Sequence, residues 1–274
     1  MRIALDAGHG MNTSGKRCLK SIDPKETREW WLNQRIATLV DDKLKDYDVE
    51  TLRVDDITGE IDVKLATRCK KANDWKADIY CSFHHNAGVN GGAGGGLVVI
   101  TYDDSKTSQY IRNSLYDSLI NAGLMKGNRS NPKVSNKSLY VLNSTKMPAV
   151  LVEHDFMDST TASPIILTDD FAEKAANGWI KWFEDFYGIE KKSQPKEQPK
   201  VEPKEEPKAE TGYKVKVKVA ALNIREKAGL SKIVGCIRDK GIYTIIEETN
   251  IAGVKWGKLK SGAGWISLKF TERV

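Results

Sequence analysis

The chain has four histidines in 274 residues, and all of them lie in three short motifs that close apolar runs. Asp6-Ala7-Gly8-His9-Gly10 follows Arg2-Ile3-Ala4-Leu5. Ser82-Phe83-His84-His85-Asn86-Ala87 follows Ala77-Asp78-Ile79-Tyr80-Cys81. Leu151-Val152-Glu153-His154-Asp155 follows Met147-Pro148-Ala149-Val150. A scarce, metal-capable side chain used only where strands should end points to one site assembled from distant segments. Metal-assisted hydrolysis is the chemistry such a set supports. Catalytic zinc commonly takes three ligands of imidazole or carboxylate type and keeps one position for water. His9 and His84 are two candidates, and the third should be a carboxylate near the first motif. Glu29 fits best because Glu29-Trp30-Trp31-Leu32-Asn33 opens a helical apolar pattern. Glu26 and Asp23 compete, and spacing alone does not exclude them.

A second carboxylate, off the metal, must take and return protons. Glu153 suits that role: it directly follows a buried strand, and partial desolvation there should raise its pKa. Side chains alternate along a strand, so His84 and His85 should point apart and only one should reach a metal. His85 and His154 read more simply as hydrogen-bonded core residues. Glu29 taken alone is also just a favourable residue for a helix's first turn.

Elements that could position these residues follow from the pattern. Residues 1–189 alternate strand-like runs (2–7, 49–54, 79–83, 97–102, 139–142 and 149–152) with amphipathic helical stretches (29–45, 63–75, 105–122 and 171–187). That alternation predicts an α/β domain with a mostly parallel sheet flanked by helices. Ligands bind beyond the carboxyl ends of such strands, where all three motifs fall. Residues 190–211 then carry prolines at 195, 199, 203 and 207 among Lys and Glu. Such a segment has little to bury and should be an extended tether reaching on the order of 60 Å. Residues 212–274 show short strand-like runs between Gly and Asn turns and predict a small all-β barrel.

The formal charge of +6 fits a polyanionic partner such as teichoic acid, nucleic acid or acidic lipid. The basic residues look scattered along the sequence, without the stripe a nucleic-acid binder needs, so nucleic acid is not expected. No apolar run is long enough to span a bilayer, and no membrane partner is expected. Cys18, Cys69, Cys81 and Cys236 include no C-x-x-C pair and read as reduced thiols of a protein made in a cytoplasm. The first residues do not look like a secretory signal.

Residues 1–187 closely resemble the zinc-dependent N-acetylmuramoyl-L-alanine amidases of the amidase-3 class, which cut peptidoglycan. The resemblance is carried by Asp6-Ala7-Gly8-His9-Gly10, Glu29 with Leu32-Asn33, Ser82-Phe83-His84-His85-Asn86-Ala87 and Pro148 to Glu153. Leu65, Arg68, Ala72-Asn73 and Ala77-Asp78 also follow it. It implies Zn2+ held by His9, Glu29 and His84, with Glu153 as the catalytic glutamate. His154-Asp155-Phe156 departs from the family's pattern, which implies a different local turn or substrate contact. Ala221-Leu222-Asn223-Ile224-Arg225 and Gly264-Trp265-Ile266-Ser267 resemble a bacterial SH3 domain, commonly a cell-wall binder. Head, tether and tail together look like a phage endolysin, binding the peptidoglycan of a Gram-positive wall through both domains after release from the host cytoplasm. A bacterial autolysin, a non-catalytic wall-binding protein and a zinc peptidase cutting within the stem peptide are the rival expectations.

Overall fold

The computed structural model describes residues 1–192, 212–219, 222–229, 233–251 and 254–274. The chain divides into two compact units, Met1–Glu197 and Gln198–Val274. Most of the expected tether, 193–211, lies outside the described residues. Residues 190–192 still bond to the first unit, with Asp48 N–H donating to Glu190 O at 3.1 Å and Lys192 N–H to Asp46 O at 2.8 Å.

In the first unit the elements run β1 (Arg2–Ala7), α1 (Glu29–Leu44), β2 (Glu50–Arg53), α2 (Leu65–Asp74), β3 (Ile79–Asn86), β4 (Val98–Thr101), α3 (Lys106–Asn121) and β5 (Lys133–Ser135). They continue with the short α4 (Tyr140–Asn143), β6 (Ala149–Phe156), the short α5 (Ser163–Ile166) and α6 (Asp169–Tyr187). The six-stranded sheet has the order β2-β1-β3-β6-β4-β5. It is mixed: β4 runs antiparallel to β6, and the other neighbours are parallel. The reason is local. Residues 87–97 form a glycine-rich connection without a helix, and a parallel return needs a crossover of a dozen or more residues, usually helical.

β1, β3 and β6 are buried along nearly their whole length, as strands covered on both faces must be. One face meets α1, α3 and α6 through Leu5, Phe83, Val152, Ile36, Leu115, Trp179 and Phe183; the other meets α2 and α4 through Ala4, Tyr80, Leu151, Cys69 and Val141. α6 starts with Thr168 accepting from Phe171 N–H and ends with Gly188 in the left-handed conformation.

Three short elements differ from the sequence reading. Leu139–Leu142 contains a helical turn rather than a strand. Four apolar residues suit either conformation, and here Asn73 fixes the turn's exit by donating to Ser144 O at 3.0 Å and accepting from Lys146 N–H at 2.8 Å. β5 lacks an apolar run and α5 is a single turn, and the sequence reading has neither.

The second unit is one antiparallel sheet, ordered β13-β7-β10-β11-β12-β8-β9. Its strands are β7 (Tyr213–Val217), β8 (Leu222–Arg225), β9 (Ile233–Ile237), β10 (Ile242–Ile251), β11 (Val254–Leu259), β12 (Trp265–Ser267) and β13 (Thr271–Arg273). Val215, Val217, Leu222, Ile237, Ile245, Leu259 and Ile266 form its core. No pairing joins β13 to β9 among the described residues, so the sheet does not clearly show the closed barrel that was expected. The four cysteines are free, three of them buried. Among the described residues no helix is long and apolar enough to cross a membrane.

Candidate metal centre

β1 and β3 pair in parallel, with Asp6 opposite Ser82 and Ala7 opposite Phe83, so their carboxyl ends open side by side. Just past β1, Gly8 lies under the His84 ring. A Cβ there would sit 2.0 Å from Cε1 and 2.3 Å from Nε2, so only glycine permits this approach. His9 follows with φ 68°, a left-handed conformation that costs a non-glycine residue free energy and concentrates at functional sites. Arg68 holds it there by donating from Nη2 to His9 O at 2.8 Å.

Arg68 is buried and also donates to Asp6 Oδ1 (2.5 Å), Ala7 O (2.6 Å), Val63 O (2.7 Å) and Asp62 Oδ1 (3.0 Å). Burial would raise the Asp6 carboxyl, but the Arg68 charge and hydrogen bond outweigh it and hold Asp6 below the ordinary value. Asp6 also accepts from Ser82 Oγ at 2.9 Å, tying β1 to β3.

Glu29 is the first residue of α1, and its N–H donates to Lys16 O at 3.0 Å. Its carboxylate is 1% exposed and lies 3.3 Å from His9 Nε2 and 3.0 Å from His84 Nδ1. Burial works to raise Glu29, yet the His84 contact and the charges of His84 and His9 hold it well below the usual carboxylate range. The same contact raises His84 against the opposing effect of its own burial. One ligand atom from each of the three residues lies within 4.8 Å of the others. Glu29 Oε2 and His9 Nε2 are buried without a hydrogen-bond partner. Two imidazoles and a carboxylate, with donors left unsatisfied and both rings slightly open to solvent (19% and 16%), fit a divalent metal with an open position.

The surrounding shell is ordered. Asn33 lies one helical turn after Glu29 and donates to Gly8 O at 3.1 Å and to Glu29 Oε1 at 3.4 Å. Its Oδ1 lies 2.8 Å from His85 Nδ1. His84 and His85 thus turn to different partners. Trp179 Nε1–H donates to His154 Nε2 at 3.0 Å, which leaves Nδ1–H to donate to His84 O at 3.1 Å. Burial depresses His154 to about 3 and His85 well below the ordinary value, so both stay neutral.

Glu153 stands in register beside His84 on the neighbouring parallel strand. Its Oε2 is buried without a hydrogen-bond partner. Burial pushes its carboxyl up to about 7, with His84 pulling down and Glu29 pushing further up. Asp155 accepts from Gly96 N–H at 2.8 Å, and Asp158 accepts from Gly88 and Asn90 N–H at 2.8 Å each. Asp155, from the run that departs from the family's pattern, and Asp158 beyond it therefore anchor the glycine-rich connection.

Glu26 and Asp23 lie outside the cluster. Glu26 pairs with Arg17 at 3.2 Å, and Asp23 closes a turn by accepting from Lys25 and Thr27 N–H. The sequence reading gave no role to Lys16, whose Nζ lies 3.6 Å from Glu29 Oε2. It sits in an irregular loop, where periodicity carries no signal. Asn33 had two signals, its i+4 spacing from Glu29 and its place in the Leu32-Asn33 pair that carries the resemblance.

Comparison with known proteins agrees with this architecture. Over 279 aligned residues the chain is 28% identical to the endolysin of Bacillus phage SPP1, covering 95% of this chain and 93% of that one. It is 27% identical to the sporulation-specific N-acetylmuramoyl-L-alanine amidase of Bacillus subtilis (strain 168), covering 70% of this chain and 71% of that one. The N-acetylmuramoyl-L-alanine amidase structure from Clostridium difficile 630 shares the fold, with TM-score 0.60 at 22% identity over 68% of this chain and 96% of that one. A family profile described as N-acetylmuramoyl-L-alanine amidase matches residues 3–182, about two thirds of the sequence. The chain belongs to the N-acetylmuramoyl-L-alanine amidase family.

Proposed function

We propose that the protein is a peptidoglycan hydrolase of endolysin type that cleaves the amide between N-acetylmuramic acid and L-alanine. One observation carries the reading. His9, Glu29 and His84 bring ligand atoms within 4.8 Å, and Glu153, pushed up to about 7, stands in register beside His84. In this assignment His9, Glu29 and His84 hold Zn2+. The metal, when bound, supplies Lewis-acid polarisation of the scissile carbonyl and of the attacking water.

Every other role falls to the chain itself. Glu153 accepts the proton of the attacking water and delivers it to the departing amine nitrogen. A carboxyl near 7 is matched to both halves of that transfer at neutral pH. Asn33 and Arg68 fix Glu29 and His9, as outer-shell partners of metal ligands do.

We assign 1–189 as the catalytic domain, 190–211 as a tether and 212–274 as an SH3-like module that docks on a Gram-positive wall. Docking would raise the head's effective substrate concentration. The endolysin relative aligns over 95% of this chain, against 70% for the sporulation amidase, which favours the endolysin reading over an autolysin of the same chemistry. It also supports action on the wall after release from the producing cell's cytoplasm.

The test is digestion of purified Gram-positive walls with and without chelator, reading released fragments by mass spectrometry. Free stem peptides beginning at L-alanine, lost with chelator and restored by zinc, are expected. Cuts within the stem peptide would make the protein a peptidase. Bound protein on undigested wall would make it a binding protein without turnover.

A further inference from the structure

The positive charge of this protein is not spread evenly. From Gly212 to the C-terminus there are thirteen Lys and Arg against five Asp and Glu, a net +8 that exceeds the +6 of the whole chain. Everything before it is slightly acidic. The fold then aligns part of that excess. β7 alternates Lys214 and Lys216, both exposed, with Val215 and Val217, both buried in the core of its sheet, and exposed Lys218 follows directly after its last residue. The two strand lysines therefore point outward on one face, two residues or roughly 6.6 Å apart, with Lys218 continuing the alternation just past the strand.

Three of the five acids of this unit are engaged by other side chains. Glu247 meets Lys258 at 3.1 Å, Glu248 holds the Tyr213 hydroxyl, and Asp239 accepts from the Tyr243 hydroxyl at 2.7 Å. Glu272, opposite Lys216 on β13, lies 3.9 Å from Lys218. Among the described residues Lys214 and Lys216 have no carboxylate within 4.0 Å.

We propose that the outward face of β7 binds an anionic phosphodiester-linked polyol polymer of the cell wall. One phosphate per short polyol unit matches the spacing of the lysine row. Across from Lys214 and Lys216 stand Thr244 and Ile242, which offer a nucleobase neither a stacking platform nor a pattern of edge contacts. A polymer of phosphates and polyols requires neither. The choice of occupant rests on the proposed wall-directed activity; the charge of the face does not.

Full-length protein is sedimented in the cold with Gram-positive walls, before and after hydrofluoric-acid removal of their phosphodiester polymers. Stripping should weaken binding roughly tenfold or more, with a steep salt dependence on intact walls only. Lys214→Gln with Lys216→Gln should weaken binding to intact walls about fivefold and flatten that salt dependence. Lys255→Gln with Lys269→Gln, the same charge change on other elements, should stay within about twofold. Both variants should melt with, and digest soluble muropeptide as fast as, the parent. Equal binding to stripped and intact walls, or equal losses in the two variants, overturns the proposal. So does tighter binding, at matched phosphate, to duplex DNA or to anionic phospholipid vesicles. Failure of the parent to digest muropeptide would strike the proposed activity and leave the binding comparison intact.

Discussion

Replacing Arg68 by Met offers a sharp test of how the centre is held. The methionine keeps much of the side chain's bulk but removes donors to Asp6, Asp62 and three backbone carbonyls, among them His9 O. Asp6 would stay buried with Ser82 Oγ as its remaining side-chain donor at 2.9 Å. Breaking a buried pair from one side costs about 3–5 kcal/mol. For a domain of this size that corresponds to a fall in Tm of about 6–20 °C. The sign of the pH dependence follows. In the parent, Asp6 is depressed, so its contribution is present above the unfolded pKa and is lost as pH falls through the folded value. Without Arg68, burial is opposed only by the smaller effects of His84, Tyr80 and the Ser82 hydroxyl, and the folded pKa rises. Asp6 then favours folding below its unfolded pKa and opposes it as pH climbs. The parent–variant gap should therefore widen from about pH 4 to 7. Asp6→Asn in the Arg68→Met background should recover part of the loss. Calorimetric melting of the four proteins of this cycle, at three pH values, is the assay. A loss under about 1 kcal/mol, or a gap that ignores pH, refutes the idea that this ion pair pins the His9 turn.

Three further outcomes are expected. Glu153→Gln should retain zinc affinity and fold while losing roughly 10²–10⁴-fold in muropeptide hydrolysis; a variant within tenfold of the parent removes Glu153 from proton transfer. Gly8→Ala would press a methyl group into the His84 ring, 2.0 Å from Cε1, and should weaken zinc binding roughly 10–100-fold in a competition titration. Parent-like affinity there would contradict the close approach described above. His154 is depressed to about 3, so its contribution to stability is present above its unfolded pKa near 6.5 and is lost as pH falls toward 3. Between pH 6.5 and 5 that is about 2 kcal/mol, visible in chemical denaturation. His154→Gln should show a shallower acid limb, and identical limbs would assign the loss to other groups.

Much of this centre was legible because its residues sit in unusual company. A histidine in Gly8-His9-Gly10, and a glutamate directly after Ala149-Val150-Leu151-Val152, are hard to explain as packing. The structure gathers His9, Glu29 and His84, sets Glu153 beside His84, and leaves Glu26 and Asp23 elsewhere. What stayed hidden depends on contacts across the chain. Arg68 lies 62 residues from Asp6, and its place in α2 says nothing of the five acceptors around it. Lys16 reaches Glu29 from an irregular loop. The helical turn at 140–143 was lost because an apolar run of four suits a strand equally well, and the reversed β4 because strand direction is set by the connection and not by the strand. In the second unit, several strands are three to five residues long with mixed burial, too short for alternation to mark their ends.

The position of β6 has a consequence in time. It lies between β3 and β4 in the sheet, yet it is synthesised after both. A nascent chain that has delivered β1, α1 and β3 already carries His9, Glu29 and His84. It has no Glu153 beside His84, and β4, once made, has no strand to pair with on that side. Under the proposed assignment, hydrolytic competence arrives in a single event, when the last central strand slides between two waiting edges. Translation order thus acts as a safety interlock: a product stalled before β6 carries the three proposed ligands but lacks the residue assigned to move the proton.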